Sequence, residues 1–223
     1  MIKSVLIDID NTLLDFDKAA YMAVKDGFAS RNLYFDENVM TVFHSVNDFL
    51  WGKIEGGGLT KEELFDVRWN MIFEQLSIDA DGHEFETYFR SYIFDSAFLI
   101  TGAAELLEYL YPKYDIYAAS NGANDQQINR LTKGNIIGYM SGVFTSQLLG
   151  VQKPEKAFFE KCLELMHRDS NEVMMIGDSL SADICGAKNA GIKTCLYSPN
   201  KNILAHECAD IVVSDLYDIK NFI

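Results

Sequence analysis

Short apolar segments that alternate with helical patterns are the feature that most constrains the fold of this chain. Each is three or four residues long and partly β-branched, which is typical of strands buried on both faces of a sheet. Helical periodicity fills stretches between them, as at 155–167. The apolar segments are Ser4–Ile7, Ile116–Ala119, Val173–Ile176, Lys193–Leu196 and Ile211–Val213. This alternation predicts an α/β fold, a Rossmann-like parallel sheet with helices on both faces.

A long helical region interrupts the alternation after the first predicted strand. Its four segments with helical periodicity are 18–31, 36–54, 60–76 and 82–94. The run Gly56-Gly57-Gly58 predicts the end of the second helix. We therefore expect an all-helical cap domain at 16–95, inserted into an α/β core formed by 1–15 and 96–223.

Composition and charge exclude several classes of function. The 223 residues include 33 acidic and 19 basic side chains, for a net charge of −14. This acidity argues against binding to polymeric nucleic acid, which requires clustered Lys and Arg. No apolar run has the length of a membrane span, and no signal peptide or lipidation motif is evident. We expect a cytoplasmic protein without membrane partners, while its oligomeric state stays open.

The four cysteines do not show the spacing of a metal site or a redox motif. Cys162 lies at an apolar position of a helical pattern, and Cys195 lies in a strand-like segment. Neither these two nor Cys185 and Cys208 form a CxxC pair. We expect all four to be reduced thiols, most of them in the core, as is usual for a cytosolic protein.

Two aspartates, Asp8 and Asp10, directly follow the first predicted strand. Residues two apart on an extended segment face the same side, so their carboxylates should project together. Such a pair beside an apolar strand needs a proton on one carboxylate or a cation between the two. Both outcomes are useful, because one gives an acid for a leaving group and the other a metal-bound nucleophile. An ordinary acidic turn is the alternative for this segment taken alone.

Two further polar segments are suited to a phosphoryl group. Ser120 and Asn121 precede Gly122 at the end of a predicted strand, where a hydroxyl and backbone N–H groups suit phosphoryl oxygens. Lys153 precedes Pro154 ahead of a helix and supplies a fixed positive charge. Taken alone, the first is also a common turn and the second a common surface lysine.

The last segment of this kind follows the predicted strand Val173–Ile176. Asp178 lies at the strand end, where a hard cation would find a further oxygen ligand. Asp183 lies about one helical turn further on and can brace Lys153 or a metal-bound water. Capping of the next helix by Asp178 or Ser179 is compatible with these roles. Because the carboxyl ends of parallel strands share one edge of a sheet, we expect all these segments to form one site.

In their order and spacing these motifs resemble the haloacid dehalogenase superfamily of phosphotransferases. The resemblance covers essentially the whole chain, and the helical insertion is similar to that family's cap of the first type. The motifs are Asp8-x-Asp10-x-Thr12, Ser120-Asn121-Gly122, Lys153-Pro154 and Gly177-Asp178-Ser179 with Asp183.

The resemblance implies a Mg²⁺-dependent phosphomonoester hydrolase that acts through an aspartyl phosphate. Asp8 would be the nucleophile and would bind Mg²⁺ together with Asp178 and the backbone carbonyl of Asp10. The Asp10 side chain would be the general acid and then the general base.

The same resemblance assigns supporting roles to the other motif residues. Thr12 would support the loop and the phosphate site, and Ser120 and Asn121 would bind phosphoryl oxygens. Lys153 would hold both the phosphate and the nucleophile. Asp183 and Ser179 would lie behind the metal ligands.

A narrower resemblance is to bacterial pyrimidine 5′-nucleotidases. It implies that the partner is a small phosphorylated metabolite, a nucleoside monophosphate, whose base is stacked or hydrogen-bonded by Trp51, Arg68 and Trp69 of the cap. The alternative is that both tryptophans fill the cap core and that Arg68 makes an ion pair. The segments that carry this resemblance are Leu50-Trp51, Thr60–Leu64, Arg68, Asn121-Gly122, Gln126-Gln127 and Arg130-Leu131.

Several other functions share these motifs. A phosphatase for phosphoglycolate or a sugar phosphate, and a sugar-phosphate mutase, would differ mainly in the cap. A dehalogenase would lack Asp10, since a halide leaves without a proton. A non-catalytic binding module is disfavoured because every position required for the chemistry carries a competent residue.

Overall fold

The computed structural model describes residues 1–200 and 205–223. They divide into two compact units, a core unit of Met1–Asp15 with Ala97–Ile223 and a cap unit of Phe16–Ser96. The second boundary falls one residue later than we predicted. The Ser96 hydroxyl donates to the Tyr92 carbonyl at 2.8 Å, which ties this residue to the last helix of the cap unit.

The strands of the core unit, as far as the chain is described, form one parallel sheet. They are β1 (Ser4–Ile7), β2 (Asp115–Ser120), β3 (Gly142–Thr145), β4 (Val173–Gly177), β5 (Lys193–Tyr197) and β6 (Ile211–Val213). Their order across the sheet is β3-β2-β1-β4-β5-β6, and every neighbouring pair is parallel. The predicted α/β class is confirmed. No apolar run predicted β3, whose first two residues are only partly buried.

Alternate residues of β1 enter the two apolar layers of the core unit. Val5 and Ile7 join one layer, and Leu6 joins the other together with Phe158 and Phe159. All four residues of β1 are buried, as the period of two residues requires of a strand covered on both faces.

The position of β1 between β2 and β4 places the site. In the register of the sheet Ile7 pairs with Ala118 of β2 and with Ile176 of β4. The residues that follow these three positions therefore emerge side by side at the carboxyl edge of the sheet, where α/β proteins bind ligands.

The cap unit consists of helices whose starts follow ordinary capping rules. They are α1 (Phe16–Ser30), α2 (Glu37–Glu55), α3 (Lys61–Leu76) and α4 (Gly82–Asp95). Asp36 and Asp81 accept backbone N–H bonds at the starts of α2 and α4, and Thr60 forms a capping box with Glu63 at the start of α3. α2 ends just before the glycine run, as predicted.

Helices of the core unit pack on the sheet. They are α5 (Ala103–Leu110), α6 (Asn124–Lys133), α7 (Ser146–Leu149), α8 (Lys156–Met166) and α9 (Gly186–Asn189), and a π-helical segment spans Leu180–Cys185. Within residues 1–200 and 205–223, none of the helices is both long and apolar enough to cross a membrane.

The cap core is an aromatic cluster that contains Trp69. This side chain is fully buried, and its ring lies 5.7 Å from the ring of Phe43 and 4.2 Å from that of Phe85. Its neighbour Arg68 is 3% exposed and is held by Glu86, with N–O distances of 2.6 and 3.0 Å. The structure thus assigns both residues to packing of the cap unit.

Two of the four cysteines form a disulfide, which corrects the prediction of four reduced thiols. Cys185 is bonded to Cys208, with their Cα atoms 5.0 Å apart, while Cys162 and Cys195 are free and buried. The bonded pair is separated by 23 positions and meets through the fold, so no spacing in the sequence revealed it. The His206 ring lies beside this pair, but both sulfurs are already bonded to each other.

We expect Glu86→Gln to lower the free energy of unfolding by about 3 kcal/mol, because it leaves the buried Arg68 guanidinium without an opposite charge. Urea denaturation measures the loss. Glu84→Gln, on the same helix, is the matched control. Its partner Arg31 is partly buried, but the Glu84 side chain is 69% exposed, so we expect a loss below about 1 kcal/mol. Equal losses would show that the Arg68–Glu86 pair does not stabilise the cap.

Candidate functional site

Three of the predicted site residues lie at the carboxyl edge of the sheet. Asp8 directly follows β1, is 6% exposed, and its N–H donates to the Ile176 carbonyl at 2.9 Å. Ser120 ends β2, and Asp178 follows β4. Residues more than a hundred positions apart are thus brought together by strand order alone.

Three carboxylates form a cluster at this edge. Asp8, Asp178 and Asp183 each place an oxygen within 4.8 Å of the others. The Thr12 hydroxyl, fully buried, donates to Asp178 Oδ1 at 3.2 Å. This places Thr12 in contact with an acid, and its predicted contact with a phosphate remains a prediction.

The Lys153 ammonium binds this cluster from inside the protein. Its Nζ donates to Asp8 Oδ1 at 2.7 Å, to Asp183 Oδ1 at 2.6 Å and to the Ala119 carbonyl at 2.8 Å. An ammonium has three N–H donors, so these contacts use all of them. The side chain is 3% exposed, which makes Lys153 a buried charge and excludes the alternative of a solvated surface lysine.

Asn121 fixes the backbone of Lys153. The Asn121 amide N–H donates to the Lys153 carbonyl at 2.9 Å, and its Oδ1 accepts from the Lys153 N–H at 2.9 Å. These bonds set the position from which the lysine side chain reaches Asp8. A direct contact of Asn121 with phosphate remains a prediction.

Asp183 is held from both sides. Its Oδ2 accepts from the Ser179 N–H at 3.1 Å, while Ser179 Oγ accepts from the Ala182 N–H at 3.1 Å. A Cβ at Gly177 would lie 2.3 Å from Asp183 Oδ2, so only glycine lets the carboxylate approach the strand end. Ser179 therefore has the capping role that the sequence allowed.

The pKa values at the cluster reflect burial of like charges. Burial raises the pKa of Asp8 to about 7, Lys153 opposes the rise, and Asp183 and Asp10 add to it. Burial, with Asp8 and Asp183, raises the pKa of Asp178 well above its usual range. Burial lowers the pKa of Lys153, but the two carboxylates outweigh it and hold it above the ordinary value.

The donor set of this cluster fits a hard divalent cation. Three carboxylates around one ammonium carry a net charge of −2 when all are ionised. Closely spaced carboxylate oxygens are the ligands that Mg²⁺ and Ca²⁺ prefer. A divalent cation would neutralise the excess charge and lower the pKa of Asp8 toward the ordinary value of a carboxyl group, which favours the ionised form.

The Asp10 carboxylate does not lie in this cluster. Its Oδ2 accepts from Gln127 Nε2 at 2.6 Å, and its Oδ1 pairs with the guanidinium of Arg130. Asn11, the next residue, adopts the left-handed region (φ 59°), so the chain turns directly after Asp10. The cation next to the Asp10 carboxylate is thus the Arg130 guanidinium, whereas we expected a cation shared between Asp10 and Asp8. The predicted role of its backbone carbonyl is not affected.

The sequence motifs did not identify Gln127 and Arg130 as site residues. Both lie on α6 and are almost fully buried, at 0% and 1% exposure. They are three positions apart, the spacing that puts two side chains on one helix face. Whether that polar face is buried depends on how α6 packs against the ends of the strands, which the sequence pattern does not show.

Two of the three cap residues assigned to substrate binding by resemblance have structural partners within the cap unit. Arg68 and Trp69 point into the cap core, as described above, which was the alternative to contact with a base. Trp51 is partly buried, and its contact with a substrate remains a prediction.

Comparison with known proteins supports the pattern of the motifs. The family model for haloacid dehalogenase-like hydrolases matches residues 5–197. The pyrimidine 5′-nucleotidase PynA of Streptococcus pneumoniae is 36% identical over 205 residues, which cover 89% of this chain and 84% of that protein. The HAD-hydrolase YfnB of Bacillus subtilis is 31% identical over 199 residues, covering 89% and 85%.

A solved structure extends the similarity to the fold. The crystal structure of YfnB from Bacillus subtilis bound to magnesium superposes with a TM-score of 0.93 at 28% sequence identity. The alignment covers 99% of this chain and 98% of that one. The parallel sheet and its helices are thus shared over nearly the whole length.

We expect Mg²⁺ to bind more weakly at about pH 5.5 than at about pH 8. Asp8, with a pKa raised to about 7, carries a proton at the lower pH that the metal must displace. Each displaced proton lowers the apparent affinity about tenfold per pH unit below the pKa. Titration calorimetry at both pH values measures the difference.

Asp178→Asn is expected to abolish most of this binding, because it removes one charged oxygen ligand. Asp218→Asn, on the exposed surface of the Leu216–Asn221 segment, is the control and should bind as the wild type does. Equal affinity at both pH values, or full binding by Asp178→Asn, would contradict the proposed metal position.

Proposed function

Because the chain belongs to the haloacid dehalogenase-like hydrolase family, we propose that it is a Mg²⁺-dependent phosphatase of nucleoside 5′-monophosphates. The observation that carries the proposal is the buried Asp8 carboxylate, held at Oδ1 by Lys153 and accompanied by a second acid, Asp10, two residues later. A fixed carboxylate next to an acid is the arrangement required for transfer of a phosphoryl group to the protein and then to water.

In the first step Asp8 attacks phosphorus. Lys153 holds Oδ1, so Oδ2 is the nucleophilic oxygen, and the new bond joins it to phosphorus. The bond from phosphorus to the ester oxygen breaks, and the Asp10 carboxyl gives its proton to that oxygen. The products are the free alcohol, an aspartyl phosphate at Asp8 and ionised Asp10.

In the second step water attacks the aspartyl phosphate. Asp10 now accepts a proton from the water as its oxygen bonds to phosphorus, and the bond from phosphorus to Asp8 Oδ2 breaks. Phosphate is released, Asp8 is again a carboxylate, and Asp10 again carries the proton it began with. Ser120 donates to an oxygen of the phosphoryl group in both steps. Lys153 places its positive charge beside that group, and to bind a phosphoryl oxygen directly it gives up one of its three present acceptors.

The residues that would hold Mg²⁺ are Asp8, Asp178 and the backbone carbonyl of Asp10. When bound there, the ion supplies positive charge against the phosphoryl oxygens and the carboxylates. Asp183 lies behind these ligands, where it balances the charge of Lys153.

The presence of Asp10 favours a phosphatase over a dehalogenase, the other activity of such a site. A halide leaves as a stable anion and requires no proton, whereas an alcohol leaves poorly without one. A carboxylate held by hydrogen bonds at Asp10 has no task in dehalogenation.

Similarity to PynA supports the choice of a nucleotide as substrate. PynA, a pyrimidine 5′-nucleotidase, is 36% identical to this chain over most of both proteins. A phosphatase or mutase for sugar phosphates or phosphoglycolate is the alternative, because the core chemistry is the same for each. The candidate substrates differ in the alcohol that is released.

We expect Asp8→Asn to lower kcat/KM for phosphate esters by more than about 1,000-fold, because an amide oxygen cannot form the phosphorylated intermediate. The loss is measured with 4-nitrophenyl phosphate at saturating Mg²⁺. Asp115→Asn, at the opposite end of the sheet, is the control. Near wild-type turnover by Asp8→Asn would exclude the covalent route.

The substrate class is tested by comparing kcat/KM for UMP, dUMP and dTMP with that for phosphoglycolate, glucose 1-phosphate and a 2-haloacid. We expect the pyrimidine nucleotides to lead by at least about tenfold, which corresponds to about 1.4 kcal/mol in the transition state. A sugar phosphate or phosphoglycolate in first place would replace the nucleotide assignment while keeping the chemistry. Release of halide from the 2-haloacid would replace both the nucleotide assignment and the phosphatase chemistry.

A further inference from the structure

We propose that Gln127 and Arg130 are positioning residues that set the Asp10 carboxylate and the Ser120 hydroxyl for phosphoryl transfer. The role rests on the proposed function, because it gives these side chains a task in the reaction proposed above. It is carried by a connected set of hydrogen bonds at the ends of β1 and β2, where two elements distant in sequence meet.

The two residues together hold both oxygens of Asp10. Gln127 Nε2 donates to Oδ2 at 2.6 Å, and Arg130 pairs with Oδ1. A carboxylate has about four lone-pair sites, so two directions stay available for a proton or a leaving oxygen. The Asp10 side chain is 32% exposed while that of Arg130 is 1% exposed. The acid thus faces outward on a support that is buried.

Gln127 also fixes the direction in which Ser120 can donate. Its Nε2 donates to Ser120 Oγ at 2.7 Å, and the Gly122 N–H donates to the same oxygen at 2.9 Å. A hydroxyl oxygen has two acceptor sites, and these bonds occupy both. Ser120 is therefore left to act as a donor, which is what an anionic phosphoryl oxygen requires.

The Gln127 amide joins the two effects in one network. Its Nε2 carries two N–H groups, one for Asp10 and one for Ser120, and its Oε1 accepts from Arg130 at 3.1 Å. Replacement by an apolar residue would release the acid and the phosphate-binding hydroxyl at the same time. A side chain that only filled space would not need these three bonds.

Burial of Arg130 is compensated within the same network. A guanidinium out of water is costly unless opposite charge and hydrogen bonds compensate it. Here its acceptors include Asp10 Oδ1 and Gln127 Oε1, so the buried arginine is tied to a residue with a proposed chemical role and a partly exposed side chain.

Gly122 makes room for this arrangement. A Cβ at this position would lie 2.5 Å from Gln127 Nε2 and 2.8 Å from its Cδ. The amide is held by three hydrogen bonds and cannot move without breaking them. The glycine of the Ser120-Asn121-Gly122 motif thus serves the position of Gln127.

The test compares two esters that differ in their need for an acid. UMP has an alkoxide leaving group that must be protonated, whereas 4-nitrophenyl phosphate releases a stable anion. We expect Arg130→Met to lower kcat/KM for UMP about 100-fold and for the aryl ester less than about threefold. Asp10→Asn should show the same contrast, and the double variant should be no slower than Asp10→Asn.

Arg168→Met is the matched control. Arg168 also pairs with an aspartate, Asp115, at 2.8 Å, but at the first residue of β2. We expect both rates to stay at the wild-type level. If Arg130→Met does not fold, as circular dichroism would show, Gln127→Met takes its place. Release of Ser120 then lowers both rates, and release of Asp10 must lower the rate with UMP at least about tenfold further; an unchanged ratio of the two esters would overturn the inference.

The outcomes separate this role from the proposed function. Equal losses for both esters, or additive losses in the double variant, would show a merely structural role and overturn the inference alone. A wild-type protein that hydrolyses neither ester would overturn the proposed function and this role with it. A selective loss with UMP that Arg130→Lys partly restores supports it.

Discussion

The site depends on one buried ammonium. Lys153 lies inside the protein, with all three N–H groups used by Asp8, Asp183 and the Ala119 carbonyl. Without it, closely spaced carboxylates at the end of a fully buried strand would repel one another in a medium that screens poorly. The lysine also fixes one oxygen of Asp8, which leaves the other for the proposed attack on phosphorus. The backbone of Lys153 is itself fixed by Asn121, so Asn121 helps to orient the proposed nucleophile through the lysine.

The parallel sheet explains how such a cluster can form at all. β1 lies between β2 and β4, and the chain leaves all three strands at the same edge. Each strand delivers a polar side chain to that edge while its own residues stay in the apolar layers. The buried charges of Asp8, Lys153 and Asp183 therefore lie near strand ends, where hydrogen bonds such as that from the Ser179 N–H to Asp183 Oδ2 compensate the cost of burial.

Residues at strand ends could be predicted from the sequence, whereas contacts that depend on how distant segments pack could not. Asp8, Ser120 and Asp178 could be placed because each follows an apolar strand, and strand ends meet in a parallel sheet. The partners of Asp10 could not be placed, because a polar helix face reads alike whether it is buried or solvated. The disulfide between Cys185 and Cys208 was missed for a related reason, since contact between distant segments depends on the path of the chain.

Two aspartates only two residues apart are thus given different surroundings. Asp8 is almost fully buried against Lys153 and faces two further acids, whereas Asp10 is partly exposed and held by Gln127 and Arg130. Each carboxylate has its own cation, so the charge of one need not be balanced by the other. In the proposed reaction one must stay ionised to attack while the other exchanges a proton, and neighbouring carboxylates can divide these tasks only when their environments differ. The two environments differ because each carboxylate meets its own cation, Lys153 on the loop before α8 for Asp8 and Arg130 on α6 for Asp10.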